Sequence, residues 1–208
     1  MSSDLPFDLQ SLRSAYTSGI HVAEVVEEVY RRILKLDDPG VFITIRDRDV
    51  VLEEAETLEL ALFEEMPLWG IPFAVKDNID VAGMSTTAAC PDFAYTAKED
   101  AFAVKCLREA GALLLGKTNL DQFATGLVGM RTPYPAPLNA IDPEVIPGGS
   151  SSGSAVAVAR GLVGFSLGTD TAGSGRVPAA LNGIVGLKPS LGALSNRGIV
   201  PACRTLDC

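Results

Sequence analysis

Apolar and polar residues alternate along the chain with two periods. Residues 8–36 carry the helical one, and they read as two helices. In the second, Ile20, Val22, Ala23, Val26, Tyr30, Ile33 and Leu34 recur at near-helical spacing. Ser18 stands ahead of it as a candidate cap, and Asp37-Asp38-Pro39-Gly40 stops it. Val41–Ile45 alternates like a short strand, and Asp47–Glu65 reads as an acid-rich helix. The apolar run Ile71–Val75 has strand length and is bounded by Gly70 and by the polar Lys76-Asp77-Asn78. Asp100–Ala110 then reads as a helix, Ala112–Leu115 as a strand and Asn119–Thr125 as a helical turn. Arg131–Pro147 is rich in proline and promises little regular structure. Ala155–Arg160 is a small-residue helix, and Val163–Leu167 is an apolar strand.

Strands alternating with helices predict an α/β fold with a mixed, largely parallel sheet covered by helices. Two parts are expected: a helical N-terminal layer over residues 1–66 and a core over 67–208. Charge separates the same two parts. Residues 1–66 hold 15 acidic and 6 basic side chains, whereas residues 67–208 hold 11 of each. The acid therefore decorates an outer, solvated layer. The net charge of −9 argues against a nucleic-acid surface. No apolar run approaches the roughly 18 residues of a membrane span. The N-terminal MSSDLPFDLQ lacks the basic-then-apolar pattern of a secretory signal. The four cysteines form no C-x-x-C pair, so zinc spacing is absent and no metal or cofactor is expected. Free thiols fit a reducing, cytoplasmic setting.

Candidate chemistry gathers in two loops, Gly148–Ser154 and Gly168–Arg176, which flank the helix–strand unit. Glycines there let backbone N–H groups approach a reacting atom, and serines beside them supply hydroxyls. GGSSSGS also has the composition of a flexible linker. It leads straight into AVAVA and GFSLG, however, and these read as core. A serine needs a base, and the one histidine, His21, lies far from both loops in sequence. That leaves a lysine, whose neutral form burial favours. Lys76 closes an apolar strand, although spacing alone fits an exposed charge or a partner for Asp77 or Asp80 equally well. Strand ends on one edge of a parallel sheet would bring Lys76 and the 168–176 loop together.

The order VKD at 75–77, GGSS at 148–151 and GTDTAGSGRVP at 168–178 resembles the amidase signature family, from about Pro67 onward. The resemblance implies an amide hydrolase with a Ser-Ser-Lys triad: Ser174 the nucleophile, Ser150 the bridging serine after a cis peptide, and Lys76 the base. It implies an oxyanion hole from the N–H groups around Thr171, Ala172, Gly173 and Ser174, with Asp170 and Arg176 shaping the loop. The stretches 77–95 and 116–134 look most like the allophanate-hydrolysing branch. The expected substrate is then urea-1-carboxylate, with Thr125, Gly126 and Leu127 bordering it and ammonia released. A general amidase, the amidase subunit of a tRNA-dependent amidotransferase and a non-catalytic remnant are the alternatives. Expected partners are the small amide and either a second copy of the chain or a urea carboxylase. Pro135 stands where the branch's pattern has glycine. Family members run to more than twice this length. The chain is thus expected to be a truncated first part, with the apolar runs 163–167 and 184–187 left uncovered.

One further motif, Gly111-Ala-Leu-Leu-Leu-Gly116-Lys117-Thr118, matches the phosphate-cradling P-loop letter for letter. Its variable residues are Ala-Leu-Leu-Leu, which suit a buried strand, and a helix precedes it. The expectation is a helix–turn–strand unit with Gly111 closing the helix.

Overall fold

The computed structural model describes residues 5–59 and 63–208. Helix α1 (Leu9–Thr17) starts at Asp8, whose carboxylate accepts the Ser11 N–H at 2.9 Å. Ser18 does not cap the next helix. It closes α1, donating its N–H to Ser14 O and Ala15 O. Helix α2 (Val22–Leu36) is capped instead by His21, whose N–H donates to Glu24 Oε1 at 3.1 Å. It buries Val22, Val25, Val26 and Val29, and it ends at Asp37, a left-handed residue at φ 51°. Leu34, grouped by spacing with the buried face, is 79% exposed.

Four strands build the main sheet: β1 (Phe42–Ile45), β2 (Pro72–Lys76), β5 (Leu113–Thr118) and β6 (Phe165–Leu167). Their spatial order is β1-β5-β2-β6. Strand β2 runs parallel to both β5 and β6, whereas β1 runs antiparallel to β5. The sheet is therefore mixed and mostly parallel. The short pair β3 (Ser85–Thr86) and β4 (Tyr95–Thr96) forms a separate antiparallel ribbon. Helices α3 (Arg48–Glu59), α4 (Phe102–Glu109), α5 (Ser152–Ala159) and α6 (Arg176–Leu181) complete the fold. Phe63–Glu65 is a 3-10 turn; the stretch 60–62 of the helix expected over Asp47–Glu65 lies outside the described residues.

Strand periodicity explains the two cores. Ala74, Leu113 and Leu115 face a cluster with Val25, Val51, Val156 and Ala157 from α2, α3 and α5. Phe73, Val75 and Leu114 face the other cluster, with Val104 of α4, Ile79 and Val81. Every residue of β2 and β5 is buried, as expected of strands covered on both faces. Strand β6 is half-buried, with Phe165 stacked on Phe73 at 5.3 Å between ring centroids. Of the apolar runs expected to stand uncovered, Val185 and Leu187 are 94% and 87% exposed, while Val163 is buried.

Parallel pairing sets the site. The chain leaves β2, β5 and β6 at the same edge, so the segments after these strands converge there. Those segments are Lys76-Asp77-Asn78, Asn119–Asp121 and Gly168–Arg176.

Candidate active site

Lys76 ends β2 and is fully buried. Its Nζ donates to Ser150 Oγ at 2.7 Å and to Thr169 Oγ1 at 2.8 Å. Ser150 is also fully buried, and its hydroxyl donates to Ala124 O at 3.2 Å. The Gly149–Ser150 peptide is cis, as the resemblance implies. Burial pushes Lys76 down to about 7, against the opposing pull of the Asp121, Asp170 and Asp207 carboxylates. A lysine held by hydroxyls alone, out of water, loses its proton near neutrality and can then accept one.

The second loop is organised by Asp170. One carboxylate oxygen accepts the Gly173 N–H at 2.7 Å and Arg176 Nη2 at 3.1 Å. The other accepts the N–H groups of Gly175 and Arg176 and Arg176 Nε, at 3.0–3.2 Å. Burial would raise the Asp170 carboxyl, but Arg176 and these N–H groups outweigh it and hold it at about 2. The clamp occupies one of the four N–H groups that the resemblance assigns to an oxyanion hole. Gly173 N–H already serves Asp170, so the donors without a partner among the described residues are those of Thr171, Ala172 and Ser174.

Ser174 is 4% exposed, and its carbonyl accepts the Ser151 N–H at 3.0 Å, which ties the two serine loops together. Its hydroxyl makes no hydrogen bond among the described residues. The other loop serines are engaged. Ser151 Oγ donates to Thr169 O at 3.3 Å, Ser152 Oγ donates to Asn119 O at 3.4 Å, and Ser154 Oγ shares a 2.7 Å bond with Thr118. The predicted loop over 148–154 is shorter than expected, because α5 starts at Ser152 and absorbs these residues.

Thr125, Gly126 and Leu127 sit at the rim. Leu127 O accepts the Gly149 N–H at 2.9 Å, and a Cβ on Gly173 would lie 3.5 Å from Leu127 Cδ2. This segment thus touches both serine loops. Sequence reasoning missed three residues of the site: Thr169, Asp121 and Asp207. Asp207 accepts the Thr171 hydroxyl and the N–H groups of Ala202 and Cys203. Thr169 lay in plain view inside the GTD motif. Asp121 and Asp207 had no local signal, because only the fold brings them near.

Comparison with known proteins identifies the lineage. The Amidase family model matches residues 24–208. The chain belongs to the amidase family. Among its relatives, the urea amidolyase of Saccharomyces cerevisiae is 63% identical over 145 residues, covering 70% of this chain and 8% of the relative. A glutamyl-tRNA(Gln) amidotransferase subunit from Symbiobacterium thermophilum is 44% identical, covering 90% of this chain and 40% of that one. The Kluyveromyces lactis allophanate hydrolase structure superposes with a TM-score of 0.89 at 47% identity, covering 100% of this chain and 34% of that one. The chain therefore spans between a twelfth and two fifths of these amidase-family relatives.

Within this amidase-family chain, the P-loop look-alike is strand β5 itself. Helix α4 precedes it, and Gly111 follows the helix cap at φ 91°. Lys117 is buried in the strand, with Nζ 3.1 Å from Asp77 Oδ1 and donating to Thr86 Oγ1 at 3.0 Å and Ser85 O at 3.2 Å. Asp77 Oδ1 has no well-angled hydrogen bond; the Lys117 ammonium is what compensates it. Among the described residues no helix is long and apolar enough to cross a membrane. No three His, Cys, Asp or Glu side chains gather there where they could hold a metal ion.

Proposed function

We propose that this chain carries the catalytic centre of an amide hydrolase that acts on allophanate. The observation that carries the reading is the buried Lys76–Ser150 contact of 2.7 Å, with a lysine lowered to about 7. Neutral Lys76 takes the Ser150 proton, Ser150 takes that of Ser174, and Ser174 Oγ bonds to the amide carbonyl carbon. The N–H groups of Thr171, Ala172 and Ser174 face the resulting oxyanion, each worth about 3 kcal/mol of transition-state stabilisation. The proton then returns through Ser150 to the leaving nitrogen, the C–N bond breaks, and ammonia departs. Water repeats the sequence on the acyl-serine and frees the acid and Ser174. Thr125, Gly126 and Leu127 border the substrate.

Allophanate is a carboxylated urea, so the reaction that supplies it is the carboxylation of urea. A urea carboxylase, on the same chain or a separate one, is accordingly the partner, in a reducing cytoplasm that suits four free cysteines. The likeness to an allophanate hydrolase and to a urea amidolyase supports this substrate over glutamine. The test is product analysis with allophanate, simple amides and glutamine, together with a serine-directed fluorophosphonate. Ammonia from allophanate and a label on Ser174 are expected. A label on Ser151, Ser152 or Ser154, or turnover of glutamine alone, overturns the assignment.

A further inference from the structure

Asp121 follows β5 and is fully buried, yet no basic side chain lies within ion-pair distance of it among the described residues. Its carboxylate accepts two backbone N–H groups, Gly129 at 3.0 Å through Oδ2 and Arg131 at 2.8 Å through Oδ1. Its own N–H donates to Ser150 O at 3.0 Å. The fit is close on both sides. A Cβ on Gly149 would stand 2.1 Å from Oδ2, and one on Gly126 would stand 2.5 Å from it. One side chain thus touches the backbone that presents Ser150 and the rim segment that borders the substrate.

A charge buried with two N–H partners acts on any cation nearby, because the surroundings screen it poorly. Lys76 is faced by three carboxylates: Asp121 after β5, Asp170 after β6, and Asp207 from the last residues of the sequence. Asp77, its chain neighbour, is engaged by Lys117. Asp170 is paired with Arg176, and Asp207 holds the Thr171 hydroxyl and two N–H groups. Asp121 is the one of the three that opposes the loss of charge on Lys76 most strongly.

We propose that Asp121 is a positioning residue of the proton relay, holding Ser150 and the 125–131 rim in place and supplying the counter-charge to the Lys76 ammonium. The inference rests on the hydrolase reading above. While the proton sits on Lys76, the site holds an ammonium beside an oxyanion-bearing intermediate. A negative charge held there by the Gly129 and Arg131 N–H groups makes that state cheaper.

The test follows the rate of fluorophosphonate labelling of Ser174 against pH in the full-length protein. In the unsubstituted protein the rate rises with pH as Lys76 becomes neutral. Asp121→Asn removes the charge, so Lys76 loses its proton more readily and the rise moves to lower pH, by about one unit. Its plateau falls roughly tenfold, because Ser150 is held less well. Asp121→Glu keeps the charge, so its plateau falls while the rise stays at the original pH. A merely structural role would lower the rate at every pH and leave the position of the rise unchanged in Asp121→Asn; that result overturns the proposal. Should Asp121→Asn show no cooperative melt, Asp121→Glu decides alone, and a rise displaced despite the retained charge overturns it. Absence of Ser174 labelling in the unsubstituted protein would sink the hydrolase reading itself, and this inference with it.

Discussion

Two lysines lie on neighbouring strands one register position apart, so their side chains leave opposite faces of the sheet. Lys76 follows Val75 on β2, and Val75 is the partner of Lys117 on β5. Both are fully buried. Burial pushes both downward, but their companions differ. Lys117 has the Asp77 carboxylate at 3.1 Å, which opposes the push. Lys76 has hydroxyls, Ser150 and Thr169, and its carboxylates act on it only from beyond hydrogen-bond reach. Burial alone therefore does not make a lysine a base. A buried lysine with a carboxylate in contact is a charged strut, and one among hydroxyls is poised to exchange a proton.

Removing Lys76 should break the comparison most visibly. Lys76→Ala, or Ser174→Ala, is expected to cut amide turnover by roughly 1,000-fold or more, since each deletes a step of the relay. The cooperative melt should survive, because no contact ion pair is broken and Asp121 keeps its two backbone N–H donors. Steady-state kinetics with a parallel thermal melt would show both. Turnover within tenfold of the unsubstituted protein in Lys76→Ala would mean that another group is the base.

Lys117→Met should do the reverse. It strands the Asp77 carboxylate in the core, at an expected cost of about 3–5 kcal/mol. Adding Asp77→Asn should recover part of that loss, since the uncompensated charge then goes. Urea titrations of the single and double variants measure the coupling. Lys117→Met should not alter ATP binding, because no phosphate cradle surrounds Lys117. ATP affinity that is present and lost on substitution would count against the strand reading.

The two lysines also separate by pH. The rate of acylation should rise through pH of about 7 as Lys76 becomes neutral. The sign for stability follows from the same shift. The folded value lies below the ordinary 10.5, so the unfolded chain binds the proton more tightly between about 7 and 10.5. Stability from this group rises with pH across that window, and the penalty is fully present below it. Lys76→Met should flatten that part of the stability profile, whereas Lys117→Met should leave the rate limb where it is. A rate limb that moves with Lys117 instead would reverse the roles.

How far the sequence reveals this depends on where the signal is stored. The periodic stretches announced β2, β5 and α2, because each strand or helix face is buried by its own residues. Lys76, Ser150, Ser174, Asp170 and Arg176 were picked out by the resemblance of their motifs to the amidase signature family, since spacing alone left Lys76 open to an exposed charge. The features that escaped depend on which side chain meets which backbone group, near or far along the chain. His21 caps α2 because Glu24 reaches back to its N–H, a pairing that outcompeted Ser18. Helix α5 begins at Ser152 because the hydroxyls of the serine-rich run are satisfied by Asn119 and Thr118 on the β5 side. The Gly173 N–H, expected to be free, is claimed by a side chain three residues earlier. Asp77 could be guessed as a lysine partner, but only the register between β2 and β5 shows that the lysine is Lys117.

The smallest expected effect tests the loop clamp, where charge meets solvent. Arg176 is 52% exposed at its side chain, while Asp170, its partner at 3.0 Å, is 5% exposed. Water screens the outer member, so the pair itself is worth at most about 1 kcal/mol. Arg176→Gln should therefore leave the melt within a few degrees. Asp170 keeps three backbone N–H groups, from Gly173, Gly175 and Arg176, and these preserve most of the loop's shape. Turnover should fall several-fold, short of the loss seen without Lys76. The acid side carries the sharper signature. Asp170 sits at about 2, below its ordinary 3.8, so its contribution to stability is complete above the ordinary value and lost as pH falls through about 2. Without the guanidinium the folded value rises, and this contribution shrinks. Acid denaturation of Arg176→Gln should accordingly begin at higher pH than in the unsubstituted protein. Identical acid transitions would mean that the backbone N–H groups alone hold the carboxylate down, and the arginine would then be a surface residue with no part in shaping the loop.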